Sequence, residues 1–181
     1  MATRRILTYP HPILRKEADP WNFFAEEAQH ERNTPLRLLY LESQANDLME
    51  TLEKVDRGAA LAAPQIGLSL QLLCFNVAKA DKDGVNMPLF AVNPHILEFS
   101  KETDSMTEGC LSFPNIYEPI SRPLTVKVEW EDLFGERSEQ SFSGFWARCW
   151  QHEIDHLQGK LFIDVMDRRA KYRTKAKMEK R

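Results

Sequence analysis

From Pro35 onward the apolar residues Leu38, Leu41, Ala45, Leu48, Leu52 and Val55 recur every three or four positions, the spacing of one face of an amphipathic helix. Thr34 suits the N-cap and Pro35 the first helical position, and the helix ends before Gly58. After a Gly58–Gly67 turn, Leu70–Val77 is a compact apolar run of strand length, and two shorter candidates, Leu89–Val92 and Ile96–Phe99, flank Asn93-Pro94. The clearest strand alternates Leu124, Val126, Val128 and Trp130 with Thr125, Lys127 and Glu129. Pro123 begins it, Asp132–Gly135 turns it, and Glu136–Phe142 returns as the second arm of a hairpin. A second helix is expected over Phe145–Gln158, with Ser143 near its start and Gly159 in left-handed backbone at its end. Lys160–Val165 reads as another short strand, and Asp167 as the cap of a basic C-terminal helix.

Strands gathered ahead of one long helix, without regular βαβ alternation, predict an α+β fold in which antiparallel or mixed sheets pack around a central helix. Residues 20–35 show no clean period and read as a surface excursion. The 181 residues are 43% apolar and 28% charged, enough for a single domain with a real core. No run of about 18 apolar residues and no apolar signal core follows the Met-Ala-Thr-Arg-Arg start, so a cytoplasmic protein outside the membrane is expected. Three widely spaced cysteines argue against a disulfide framework. The net charge of −3 hides an asymmetry: residues 168–181 carry eight basic groups against Glu179 alone, or +7, which leaves the first 167 residues at −10. Only the tail suits a polyanion.

Within the second helix, His152-Glu153-Ile154-Asp155-His156 places two imidazoles at i and i+4, on one face and one turn apart, as two adjacent ligands of a tetrahedral ion require. Glu153, one residue off that stripe, stays clear of the ion yet can reach its water as general base. By itself the five-residue pattern fits two packed or solvated histidines equally well. A third ligand is needed. Cys110 is the best candidate, in the polar turn Glu108-Gly109-Cys110-Leu111-Ser112. Cys149, at i−3 from His152, competes, although its apolar surroundings suit a small buried hydrophobe. Cys74, inside a predicted strand, is assigned to the core.

Three segments together resemble the peptide deformylases, which remove the N-terminal formyl group from nascent proteins. They are Gly58-Ala59-Ala60-Leu61-Ala62-Ala63-Pro64-Gln65, Glu108–Ser112, and Gln151–Gly159; Ile6–Arg15 is similar to the family's N-terminal segment. The resemblance spans about residues 4–168 and implies a catalytic domain over 1–166 followed by a basic helix or tail over 167–181. It implies that Cys110, His152 and His156 hold one divalent ion, Fe(II) being the native metal and Zn(II), Ni(II) or Co(II) possible replacements. Glu153 then serves as acid and base toward the metal-bound hydroxide that attacks the formyl carbon, while Gln65 and the backbone N–H of Leu111 hold the formyl oxygen. The implied substrate-binding residues are Gly58, Ala60, Met106, Glu108, Gly109, Phe145 and Cys149, and Arg148 stands among them as a charge needing explanation. The partners implied are N-formyl-methionyl nascent peptides and the ribosome, through the basic tail. Only Tyr172 could stack on a base there, so sequence-specific nucleic-acid reading is not expected.

The chain departs from the family pattern in three places. Ala60 stands where a second glycine is usual. The 20–35 segment is longer than expected. Asn115, Ile116 and Tyr117 occupy a stretch where some relatives carry a substrate-facing arginine. The competing functions are a metal-dependent amidase acting on another acyl group, and a ribosome-associated paralog that keeps the metal for structure.

Overall fold

The computed structural model describes residues 3–23, 34–56, 58–82 and 84–179. Helix α1 runs over Thr34–Glu53, β1 over Ala60–Ala62, β2 over Leu72–Phe75, the short α2 over Val77–Lys82 and β3 over Phe90–Phe99. Then come β4 (Thr103–Cys110), β5 (Phe113–Pro123), β6 (Thr125–Glu131), β7 (Arg137–Ser143), α3 (Gly144–Leu157) and α4 (Arg168–Glu179). An antiparallel five-stranded sheet has the order β1-β2-β3-β6-β7, and β4 and β5 form a separate two-stranded hairpin.

The α+β architecture matches the expectation, and its layers explain the apolar patterns. In β2, Leu72 and Cys74 pack toward Leu41, Ala45, Leu48 and Leu52 of α1, while Leu73 and Phe75 pack toward Trp146, Trp150 and Ile154 of α3. With a helix on each face, successive side chains are all buried, so this strand is a continuous apolar run rather than an alternating one. A third apolar cluster joins Leu14, Phe113, Ile116 and Ile120 to Leu161, Phe162, Ile163 and Met178 of the C-terminal segment.

Several expectations need correction. Lys160–Val165 is not a strand: Phe162–Asp164 forms a 3-10 turn, closed by the Asp164 carboxylate accepting the Leu161 N–H at 3.0 Å. A short buried apolar run has no period by which to tell the two apart. The strand expected over Leu70–Val77 is confined to Leu72–Phe75, and Val77 opens α2. Asn93-Pro94 does not separate two strands; β3 continues through it with register shifts, Asn93 taking a φ of 48°. Pro123 ends β5 rather than beginning β6. Glu108, Gly109 and Cys110 finish β4, so the turn in that motif is only Leu111-Ser112. Ser143 occupies the N-cap of α3 without a side-chain capping bond. Gly159 has the expected left-handed backbone, φ 66°, and a Cβ there would also stand 2.7 Å from the Arg15 carbonyl oxygen. Residues 24–33 of the 20–35 segment, and the side chain of Thr34, lie outside the described residues.

Helix α4 is tied to the body by Asp164, which pairs with Arg15 and accepts from Lys171 Nζ at 2.7 Å. Burial would raise this carboxyl, but the bonds from Arg15 and Lys171 outweigh it and hold the pKa at about 2, below the ordinary 3.8. A depressed folded-state value adds stability above the unfolded pKa, and that stability is lost as pH falls toward the folded one. The group is partly exposed, so screening leaves about 1 kcal/mol. Asp164→Asn is therefore expected to lower urea-unfolding stability by about 1 kcal/mol at neutral pH, with the deficit narrowing below about pH 4. A deficit that stays constant with pH would overturn this.

Candidate metal centre

Helix α3 has two working faces. Trp146, Trp150, Ile154 and Leu157 bury against the sheet, which turns the stripe Arg148, His152 and His156, each four residues apart, toward the β4–β5 hairpin. The imidazole centroids are 5.2 Å apart. Cys110, at the end of β4, brings its Sγ to 3.2 Å from His156 Nε2. One donor atom each from Cys110, His152 and His156 lies within 4.8 Å of the others, and all three residues are buried.

The donor set fits a divalent ion. A sulfur and a nitrogen bound to one tetrahedral ion stand roughly 3.5 Å apart, and three protein ligands are what a catalytic ion takes when one position is kept for water or substrate. Glu108 Oε2 lies 3.1 Å from His152 Nδ1. Burial would raise the pKa of Glu108, but hydrogen bonds from His152 and Arg122 hold it at about 2. An ionised carboxylate only accepts, so Nδ1 carries the proton and Nε2 is left for the ion.

Glu108 is itself held by two guanidiniums. Arg122 Nε donates to Oε1 at 2.7 Å and Nη2 to Oε2 at 3.1 Å, and Arg148 Nη1 donates to Oε1 at 2.5 Å. Arg122 also donates from Nη1 to Asp155 at 2.8 Å. The sequence reading missed Arg122 altogether. Its partners lie 14 and 33 residues away, and a lone arginine in a polar stretch ordinarily reads as surface.

Glu153 is buried, and its Oε2 has no hydrogen-bond partner among the described residues. Burial lifts its pKa to about 7. Gln65 serves both its own loop and the centre: Oε1 accepts the Ala62 N–H at 2.9 Å, which points Nε2 at Ser112 Oγ, 3.3 Å away, and at Cys110 Sγ, 3.8 Å away.

A cavity of about 500 Å³ opens beside Cys110, His152 and Glu153, and His156 is not among its lining residues. Gly58, Ala60, Gln65, Glu108, Gly109, Cys110, Leu111, Phe145, Arg148, Cys149, His152 and Glu153 all line it. Cys149 is therefore wall rather than ligand in this arrangement, and Cys74 is fully buried in β2. Met106 is not part of the lining; it lies half-buried on β4, paired with Ile120 in register. Ala60 lies in β1 without positive φ, so its methyl group is tolerated by the backbone. Gly109 lies close under Tyr117: a Cβ there would stand 2.6 Å from Tyr117 Cε1, so that exposed ring would have to move. Tyr117, 69% exposed, covers Gly109 at the cavity wall.

The sequence model described as polypeptide deformylase matches residues 3–172. A peptide deformylase of Afipia carboxidovorans is 36% identical over 180 residues, covering 99% of this chain and 96% of that protein. Peptide deformylase 1B of Arabidopsis thaliana, chloroplastic/mitochondrial, is 39% identical over 162 residues; the match covers 90% of this chain and 54% of that longer protein. Among solved structures, a peptide deformylase from Legionella pneumophila superposes with a TM-score of 0.80 at 34% identity, covering 99% of this chain and 95% of that one. The enzyme from Thermotoga maritima gives 0.76 at 35% identity, over 92% and 99% of the two chains. With the match extending through both the hairpin and the helix that meet at Cys110, His152 and His156, the chain belongs to the polypeptide deformylase family.

Proposed function

We propose that this chain removes the formyl group from the N-terminal methionine of nascent polypeptides in the cytoplasm, releasing formate, with Cys110, His152 and His156 holding one Fe(II) ion. The observation that carries this reading is the gathering of one thiol and two imidazoles within ligand distance of one another, with Cys110 and His152 lining a cavity that is also lined by Glu153, a buried glutamate whose Oε2 is unpartnered among the described residues. A divalent ion held there supplies Lewis acidity, polarising a carbonyl oxygen and acidifying water.

The chain's own groups account for the rest. Glu153, with a pKa of about 7, takes a proton from the attacking water and gives it to the leaving amine, a role best filled by a group poised near the working pH. Gln65 Nε2 and the Leu111 N–H donate to the formyl oxygen as its charge develops. Ala60, Phe145 and Cys149 provide apolar wall for the methionine side chain. Strands β1 and β4 reach the cavity at Ala60 and Gly109, and each has one edge unpaired by another strand among the described residues, which suits an extended peptide main chain between them. The intact Glu153 favours a catalytic over a purely structural centre. On α4, Ala170, Thr174 and Met178 face inward, and the lysines and arginines between them offer the ribosome a phosphate-binding face whose affinity falls with salt. No helix among the described residues is long and apolar enough to cross a membrane.

The test is formate release from formyl-Met-Ala-Ser by anaerobically prepared protein with its metal counted, alongside acetyl-Met-Ala-Ser. Formate without acetate, at about one iron per chain, is the expected result. Acetate release instead would favour the broader amidase, and no release at full metal occupancy would refute the assignment.

A further inference from the structure

The metal centre is assembled from two pieces that are not adjacent in sequence: the hairpin that carries Cys110 and the helix that carries His152 and His156. Arg148, on the same helical stripe as both histidines, spans the gap. Its Nη1 donates to the Ile120 carbonyl of β5 at 2.8 Å and its Nη2 to the Asp104 carbonyl of β4 at 2.7 Å, while Nη1 also meets Glu108 Oε1. One guanidinium thus grips the backbone of both hairpin strands and the carboxylate that orients His152. The grip is not economical for stability. Arg148 is only 5% exposed, and its Nε–H has no acceptor among the described residues, whereas an apolar side chain of similar size would carry neither cost.

We propose that Arg148 is a positioning residue for the metal centre, a clamp that locks the β4–β5 hairpin onto α3 and so sets the spacing between the Cys110 thiol and the two imidazoles. The inference rests on the reading of Cys110, His152 and His156 as metal ligands. It predicts a split between stability and metal binding. Glu108 keeps Arg122 and His152 when Arg148 is removed, so Arg148→Met leaves no carboxylate unpaired, whereas the hairpin loses the bonds from Arg148 to both of its strands and keeps those that join Gln151 to the Pro123 carbonyl and Asp155 to Arg122.

The experiment uses Co(II) as probe, with affinity measured by chelator competition and ligand geometry by the thiolate-to-cobalt and ligand-field absorption bands. Arg148→Met is expected to weaken Co(II) binding by about 10- to 100-fold and to shift those bands, with a small change in the apoprotein's thermal midpoint. Arg148→Lys keeps the charge but lacks the planar two-nitrogen fork that meets the two carbonyls separately, and should restore part of the affinity. Leu48→Ala, a core truncation on α1 across the sheet, controls for general destabilisation: it should lower the midpoint and leave affinity and bands unchanged. Wild-type affinity and spectrum in Arg148→Met would overturn the clamp. If that variant fails to fold, wild-type values in Arg148→Lys would overturn it equally. A wild-type protein that binds no Co(II) through thiolate would instead refute the ligand assignment itself, and the clamp with it.

Discussion

Glu153→Ala is expected to cut kcat/KM for formyl-Met-Ala-Ser by between about 10²- and 10⁴-fold, the contribution of a positioned acid–base group, while metal content stays near one ion per chain. The proposed ligands Cys110, His152 and His156 are untouched by the change, and Glu153 makes no hydrogen bond through Oε2 among the described residues that would be lost. Stability should not fall with activity. Burial pushes the Glu153 pKa up to about 7 from 4.5, so across that interval folding disfavours the ionised form, and removing the group relieves this cost in the apoprotein. Glu153→Gln, which keeps the volume, should behave in the same way. Activity within tenfold of wild type at full metal occupancy would remove Glu153 from the mechanism.

The second large effect is on folding. Glu108→Ala removes the carboxylate that receives Arg122, Arg148 and His152 together. Both guanidiniums are buried, Arg122 and Arg148 each at 5% exposure. Arg122 keeps Asp155, and Arg148 keeps two carbonyls, but Arg148 is left without a counter-charge among the groups that bond it. Breaking a buried pair in this way typically costs about 3–5 kcal/mol, which for a chain of this size corresponds to a fall in Tm of roughly 6–20 °C. Differential scanning calorimetry at pH 7 measures it. A midpoint within about 3 °C of wild type would show that water reaches and solvates the guanidiniums, contrary to the burial described above. The contrast with Arg148→Met is informative: one carboxylate serves several cations, so deleting the shared partner costs more than deleting one of those that share it.

How much of this was legible beforehand follows from the range of the interactions involved. Helix α3 and its two histidines declared themselves through local spacing, since a 3.6-residue period and an i, i+4 pair are properties of neighbouring residues. The β4–β5 hairpin did not, although its period of two is regular. Its inward positions include Glu108 on β4 and Arg122 on β5, beside Cys110, Ile116 and Ile120. Because charged residues occupy core positions, the hydrophobic alternation that marks a strand is broken where the functional carboxylate and its partner lie. The same cause hid Arg122 and left Arg148 unexplained. Between Cys110 and Cys149 the sequence already favours Cys110, through its polar turn and the family resemblance, against the shorter spacing of Cys149. Cys149 is nearer to His152 along the helix, but the chain path brings Cys110 to His156 from 46 residues away.

The sequence by itself determined the α+β class, the core faces of α1 and α3, the left-handed Gly159, and the residue types from which a metal hydrolase is built, because each of these is written in short-range periodicity or in motif order. Only the tertiary structure decided that one carboxylate is shared by two buried arginines, that Tyr117 lies over Gly109, and that Met106 stays off the cavity lining. Those outcomes depend on side chains brought together across distant segments, where burial turns a charge that would be solvated on the surface into one that must find a partner.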